Sequence, residues 1–248
     1  MAGMTVTSDA HDTQSSQNLQ SLQSSQIQKI RWIADRGERP LVRGWAHLFA
    51  AQVATIAATV LITYSWMMRP WWEALGITIY GLGLTALFTV SATYHRFPWR
   101  TQRGVEGWRR ADHSMIAVFI ASTYTPMCVI ALPPKMAAIT LTVAWGGALA
   151  NVALKLLWPG HPRWLSPIIY VGLGWIVIPL IPTLLHSGNS AVLWLLFAGG
   201  VLYTVGAAIY GFKWPGRQAR YYGYHEHFHT LTIIAAIIHF VAIWLLVT

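Results

Sequence analysis

The chain has 248 residues, of which 55% are hydrophobic and 10% charged, and it carries a net charge of +9. An ordinary soluble domain carries about 25% charged residues, so too little polar surface remains here to coat a water-soluble globule, and lipid is the expected solvent. In lipid the positive balance reads as lysines and arginines gathered in the loops on one side of a membrane. It does not point to nucleic acid as a partner.

Residues 1–28 are rich in Ser, Gln and Thr. They cannot bury enough apolar surface to offset ordering entropy, so a disordered polar tail is expected. The tail lacks the apolar core of a signal peptide, which leaves insertion to the first membrane span. A basic juxtamembrane segment follows over 29–43, and a seven-helix transmembrane domain is expected over 44–248. Crossing the hydrocarbon takes roughly 20 apolar residues. Seven segments qualify, at about 45–67, 72–95, 112–132, 136–157, 165–185, 190–212 and 225–247. Turn chemistry separates them, for example Pro133-Pro134, Trp158-Pro159-Gly160 and Trp214-Pro215-Gly216. Trp66, Trp71, Trp72, Trp99, Trp158 and Trp214 stand at segment ends, where an aromatic belt meets the headgroups. Pro179 and Pro182 fall inside the fifth segment and predict a kink there.

Basic residues sort the loops. Lys29, Arg31, Arg36, Arg39 and Arg43 precede the first span, and Arg96, Arg100, Arg103, Arg109 and Arg110 lie between the second and third. Lys155 and Arg163 lie between the fourth and fifth, and Lys213, Arg217 and Arg220 between the sixth and seventh. The other side has only Arg69 and Lys135. This asymmetry predicts a cytoplasmic N-terminus and an external C-terminus. The expected setting is a cell membrane, crossed several times, with lipid as solvent and as candidate substrate. The lone cysteine, Cys128, rules out an intrachain disulfide.

A charge at mid-bilayer costs about 2.5–3.5 kcal/mol, so polar residues at span ends need a reason. His95 ends the second span, Asp112 and His113 stand at the start of the third, and His225, His227 and His229 open the seventh. His225 and His229 are four apart, hence on one face of a helix, a spacing that suits two ligands to one metal. His227 points elsewhere. His95 supplies a third imidazole, and three histidines leave the open fourth position typical of catalytic zinc. Iron or nickel would also accept such ligands. Asp112 is placed to take a proton from a metal-activated water. Ser91, one turn deeper than His95, either contacts a ligand, water or substrate carbonyl or bonds back to its own helix. His239 lies about 15 Å of helix rise beyond His229 and reads as a buried hydrogen-bonding residue. The run His225-Glu226-His227-Phe228-His229 also satisfies the H-E-x-x-H pattern, in which Glu226 would be the base of an intramembrane zinc protease.

Three stretches carry a resemblance. They are Ser91-Ala92-Thr93-Tyr94-His95; Ala111-Asp112-His113-Ser114 continuing to Ala121-Ser122-Thr123-Tyr124-Thr125-Pro126; and Tyr224-His225-Glu226-His227-Phe228-His229 ending at His239-Phe240. Together with Arg43-Gly44-Trp45-Ala46-His47, they resemble the hemolysin III family, related to the progestin and adiponectin Q receptors and more distantly to alkaline ceramidases. The resemblance covers roughly 40–248. It implies a seven-helix bundle with Zn2+ held by His95, His225 and His229, beside Ser91 and Asp112. His227 departs from the bulky apolar residue common there. The resemblance implies hydrolysis of a lipid amide or ester, or, as bacterial members are named, pore formation or membrane homeostasis with structural zinc. The small size points to a bacterial-type member of a plasma membrane.

Overall fold

Hydrocarbon offers no partner to a backbone N–H or C=O, so each apolar stretch must close its hydrogen bonds within a helix. The computed structural model describes residues 18–21, 40, 42–158, 160–162, 164–186, 190–216 and 221–248. The rest of the polar tail, Lys29, Arg31, Arg36 and Arg39, and the loop residues Arg163, Arg217 and Arg220 lie outside the described residues. Among the described residues, seven helices are long and apolar enough to cross a membrane. They are α1 (Trp45–Met68), α2 (Trp71–Arg96), α3 (Gln102–Ala131), α4 (Pro134–Leu157), α5 (Leu165–His186), α6 (Ser190–Phe212) and α7 (Tyr224–Val247). The chain is an all-α, multi-pass membrane protein.

Helix ends agree with the hydropathy reading to within one or two residues, with one exception. α3 begins at Gln102 rather than near 112. Thr101 Oγ1 accepts a hydrogen bond from the Gly104 N–H at 3.1 Å, and the first turns carry Arg103, Glu106, Arg109 and Arg110. A count of apolar residues finds the part of a helix suited to hydrocarbon and misses a polar extension beyond it. Asp112 therefore sits well inside α3 rather than at its start.

The helices bury small residues. The inward stripe of α1 is His47, Ala51, Ala54, Ala58, Leu61 and Ser65, and that of α4 is Ala137, Thr140, Ala144, Ala148, Asn151 and Lys155. Spacings of three and four keep each stripe on one face. Lipid solvates apolar side chains as well as protein does, so close backbone approach and dispersion drive this packing. The opposite face of α1 presents Val53, Ile56 and Val60 to the surroundings. α1 packs along α2 and α6 along α7. One apolar cluster joins α1, α2, α3 and α7, and a second joins α3 through α7.

The proline pair breaks α5 as expected. A 3-10 turn over Trp175–Leu180 interrupts it. The break frees a carbonyl, and the Tyr124 hydroxyl of α3 donates to Gly174 O at 2.8 Å, the kind of repair a broken span requires. The Tyr170 hydroxyl donates to His113 O at 2.7 Å, tying α5 again to α3. Lys155, counted with the basic residues that follow the fourth span, is buried in the last turn of α4. Its ammonium donates to Ser166 Oγ and stands 6.0 Å from the centre of the Tyr170 ring.

Gly83 sets the distance between α2 and α3. A Cβ there would lie 2.5 Å from Ser122 Oγ and 2.7 Å from Ser122 Cβ. Gly83→Ala should cost about 1–3 kcal/mol through overpacking, read as a lowered thermal midpoint in detergent. Adding Ser122→Gly, which removes the colliding atoms, should recover part of that loss.

Candidate metal centre

Four helix segments meet at one end of the bundle: the start of α1, the end of α2, the first third of α3 and the start of α7. His95 (5% exposed), His225 (8%) and His229 (4%) come together there. One ligand nitrogen from each lies within 4.8 Å of the others. Nε2 of His95 and Nε2 of His225 are 3.2 Å apart. The ring centroids of His225 and His229, one helical turn apart on α7, are separated by 4.5 Å. Three buried imidazoles from two helices can hold a metal ion. Asp112 Oδ2 lies 3.9 Å from His95 Nε2, at the edge of the group. Ser91 is buried one turn below His95. His227 turns away, its Nδ1 2.8 Å from Gly223 O and its ring against Tyr222.

The run Arg43-Gly44-Trp45-Ala46-His47 acquires a physical role. The Arg43 guanidinium pairs with the Glu226 carboxylate. Gly44 adopts φ +83°, and a Cβ on it would lie 2.5 Å from His95 Cβ, so a side chain would be both strained and in collision. The His47 ring stacks on that of His229, with centroids 3.8 Å apart. Sequence reasoning gave His47 no role at the site. Its signal was a histidine on the small-residue stripe of an apolar helix, where imidazole needs a polar neighbour.

Glu226 also accepts the Gly223 N–H at 2.9 Å through Oε2. Its oxygens thus serve Arg43 and the first turn of α7 and not the histidine group. Arg43 is distant from Glu226 in sequence and adjacent to it in the fold. This arrangement speaks against Glu226 as a proton acceptor at the histidines.

An apolar cavity of about 100 Å³ lies deeper in the bundle, and none of His95, His225, His229, Ser91 and Asp112 lines it. Its wall includes Leu87, Ile116 and Thr232. Each lies one turn deeper in the bundle than a site residue on the same helix, namely Ser91, Asp112 and His229 respectively.

The Arg43–Glu226 pair should couple α1 to α7. A double-mutant cycle with Arg43→Ala and Glu226→Ala should give an interaction energy of about 0.5–3 kcal/mol in thermal unfolding. An additive result would reduce the pair to a surface contact.

A family model described as Haemolysin-III related matches residues 36–240. Among curated relatives, the hemolysin-3 homolog of Bacillus subtilis is 31% identical over 142 residues, covering 57% of this chain and 66% of that protein, just under two thirds of its length. Hemolysin-3 of Bacillus cereus is 27% identical over 164 residues, covering 66% of this chain and 74% of that protein. The human monocyte to macrophage differentiation factor is 26% identical over 203 residues, 81% of each chain. The family match takes in all seven helices from the start of α1 into α7, and with them the three histidines, Ser91 and Asp112, so the chain belongs to the haemolysin-III related family of integral membrane proteins.

Proposed function

We propose that this protein is a zinc-dependent hydrolase of a lipid amide or ester, working at the cytoplasmic end of the bundle. The observation that carries the reading is the buried three-histidine group with a carboxylate at its edge and an apolar cavity beginning one turn below. The donor set fits zinc. Nitrogens bound at 2.0–2.1 Å to a tetrahedral ion lie about 3.3 Å apart, and those of His95 and His225 are 3.2 Å apart. His95, His225 and His229 would hold the ion, with the fourth position left open.

When bound, zinc supplies a Lewis acid and a water acidified to a pKa of about 7. Asp112 takes the proton of the attacking water and later returns it to the leaving nitrogen or oxygen. Ser91 donates its hydroxyl to the substrate carbonyl and holds it against the histidine group. Arg43, through Glu226, fixes the first turn of α7 and with it His225 and His229. The cavity takes the apolar tail and keeps bulk water away from the reacting carbon.

The names of the Bacillus relatives favour a second reading, a cytolytic or membrane-state protein with structural zinc. A conducting path needs a continuous polar lining. The cavity wall offers mainly residues such as Leu87, Phe119, Met127, Val177 and Leu196, which suits a lipid tail better than an ion.

Asp112→Asn should lower kcat for lipid-amide hydrolysis by on the order of 10²–10⁴-fold while leaving metal content intact. Glu226→Gln should have a mild effect. The reverse pattern, a dead Glu226→Gln and an active Asp112→Asn, would move the assignment to an intramembrane protease. Ion flux through liposomes that persists after zinc removal would support the pore instead.

A further inference from the structure

A metal-ligating histidine is almost always oriented by a hydrogen bond on the ring nitrogen that does not hold the metal. The His229 ring has no such bond among the described residues. Other rings surround it instead. His47 of α1 stacks on it, with centroids 3.8 Å apart and planes at 23°. That contact is closer and flatter than those His229 makes with His225 (4.5 Å, 39°) and His95 (5.0 Å, 62°).

His47 is itself wedged in place. It is buried, and Phe88 of α2 meets its ring edge-on, with centroids 5.1 Å apart at 71°. Both ring nitrogens of His47 are buried without a hydrogen-bond partner among the described residues. Its contact with the histidine group is therefore made by the face of the ring and not by the nitrogens. Three residues earlier, Gly44 brings the chain against His95. The start of α1 thus bears on one histidine of α2 and one of α7.

We propose that His47 is a positioning residue of the metal centre: the face of its ring holds the His229 imidazole in the orientation that lets it share an ion with His95 and His225. The inference rests on the zinc reading and adds to it a residue outside the donor set. An unrestrained imidazole visits several rotamers, and a site gains from ligands whose rotamers packing has already fixed. Stacking does here what a hydrogen bond does for most metal-bound histidines. Because His47 belongs to α1, a centre whose three histidines come from α2 and α7 depends on a third helix as well.

The test measures zinc affinity by competition with a chelator, on detergent-purified full-length wild type, His47→Leu and His47→Phe. Both variants fill the place with carbon and discard the two nitrogens, but only phenylalanine keeps a flat ring. His47→Leu should bind zinc about 10–100-fold more weakly than wild type, and His47→Phe should recover most of that loss. The visible absorption of bound Co2+ should follow the same order, with His47→Phe close to wild type and the bands of His47→Leu displaced. The metal-free thermal midpoint of His47→Leu should hold or rise, because leucine removes buried polar atoms that lack partners. His47→Leu that binds zinc as tightly as wild type would overturn the proposal, as would His47→Phe that binds no more tightly than His47→Leu. A metal-free midpoint that falls in His47→Leu along with the affinity would also overturn it, reducing His47 to packing. Wild type that takes up no zinc is a different failure: it would overturn the zinc reading, and this inference with it.

Discussion

The packing of His95 against His225 and His229 joins segments far apart in the chain at a point with almost no exposure. Imidazoles in such a place need partners, because neither water nor lipid can solvate them. The three rings could share a metal ion, and the rest of this end of the bundle is arranged about them. Gly44 lets α1 close onto His95, His47 lies flat on His229, and Arg43 grips the first turn of α7 through Glu226. α3 brings Asp112 to the edge of the same group. In a membrane, where apolar contact gives helices little preference for one another, a polar centre of this kind also decides which helices are neighbours.

The rest of the bundle extends the same logic. Freed or buried polar groups are met one by one: Tyr124 covers the carbonyl exposed where α5 breaks, Tyr170 reaches back to α3, and Lys155 finds Ser166. Small-residue stripes let helices approach, and the cavity occupies the middle. It begins one turn below Ser91, Asp112 and His229.

Much of this was legible in the sequence, for a physical reason. Hydropathy reports the solvent, so the seven spans and the break at Pro179 and Pro182 could be read directly. A titratable residue in an apolar run is rare enough to mark itself, which singled out His95, Asp112, His225 and His229. What escaped was whatever depended on distance in space rather than in sequence. The Arg43 partner of Glu226 lies 183 residues away in the chain. The stacking of His47 on His229 depends on how α1 seats itself. The start of α3 at Gln102 lay hidden because hydropathy measures the hydrocarbon and not the helix. His239 was legible as a buried hydrogen-bonding residue, but not its shared cavity wall with Tyr203.

The central question is whether α2 and α7 hold one metal between them. Elemental analysis of detergent-purified wild type, with His95→Ala and His225→Ala alongside, tests this most directly. The wild type should hold about one zinc ion per chain, lost in both variants although one lies on α2 and the other on α7. Wild-type protein that binds no metal even after zinc reloading, or variants that keep the full complement, would contradict it.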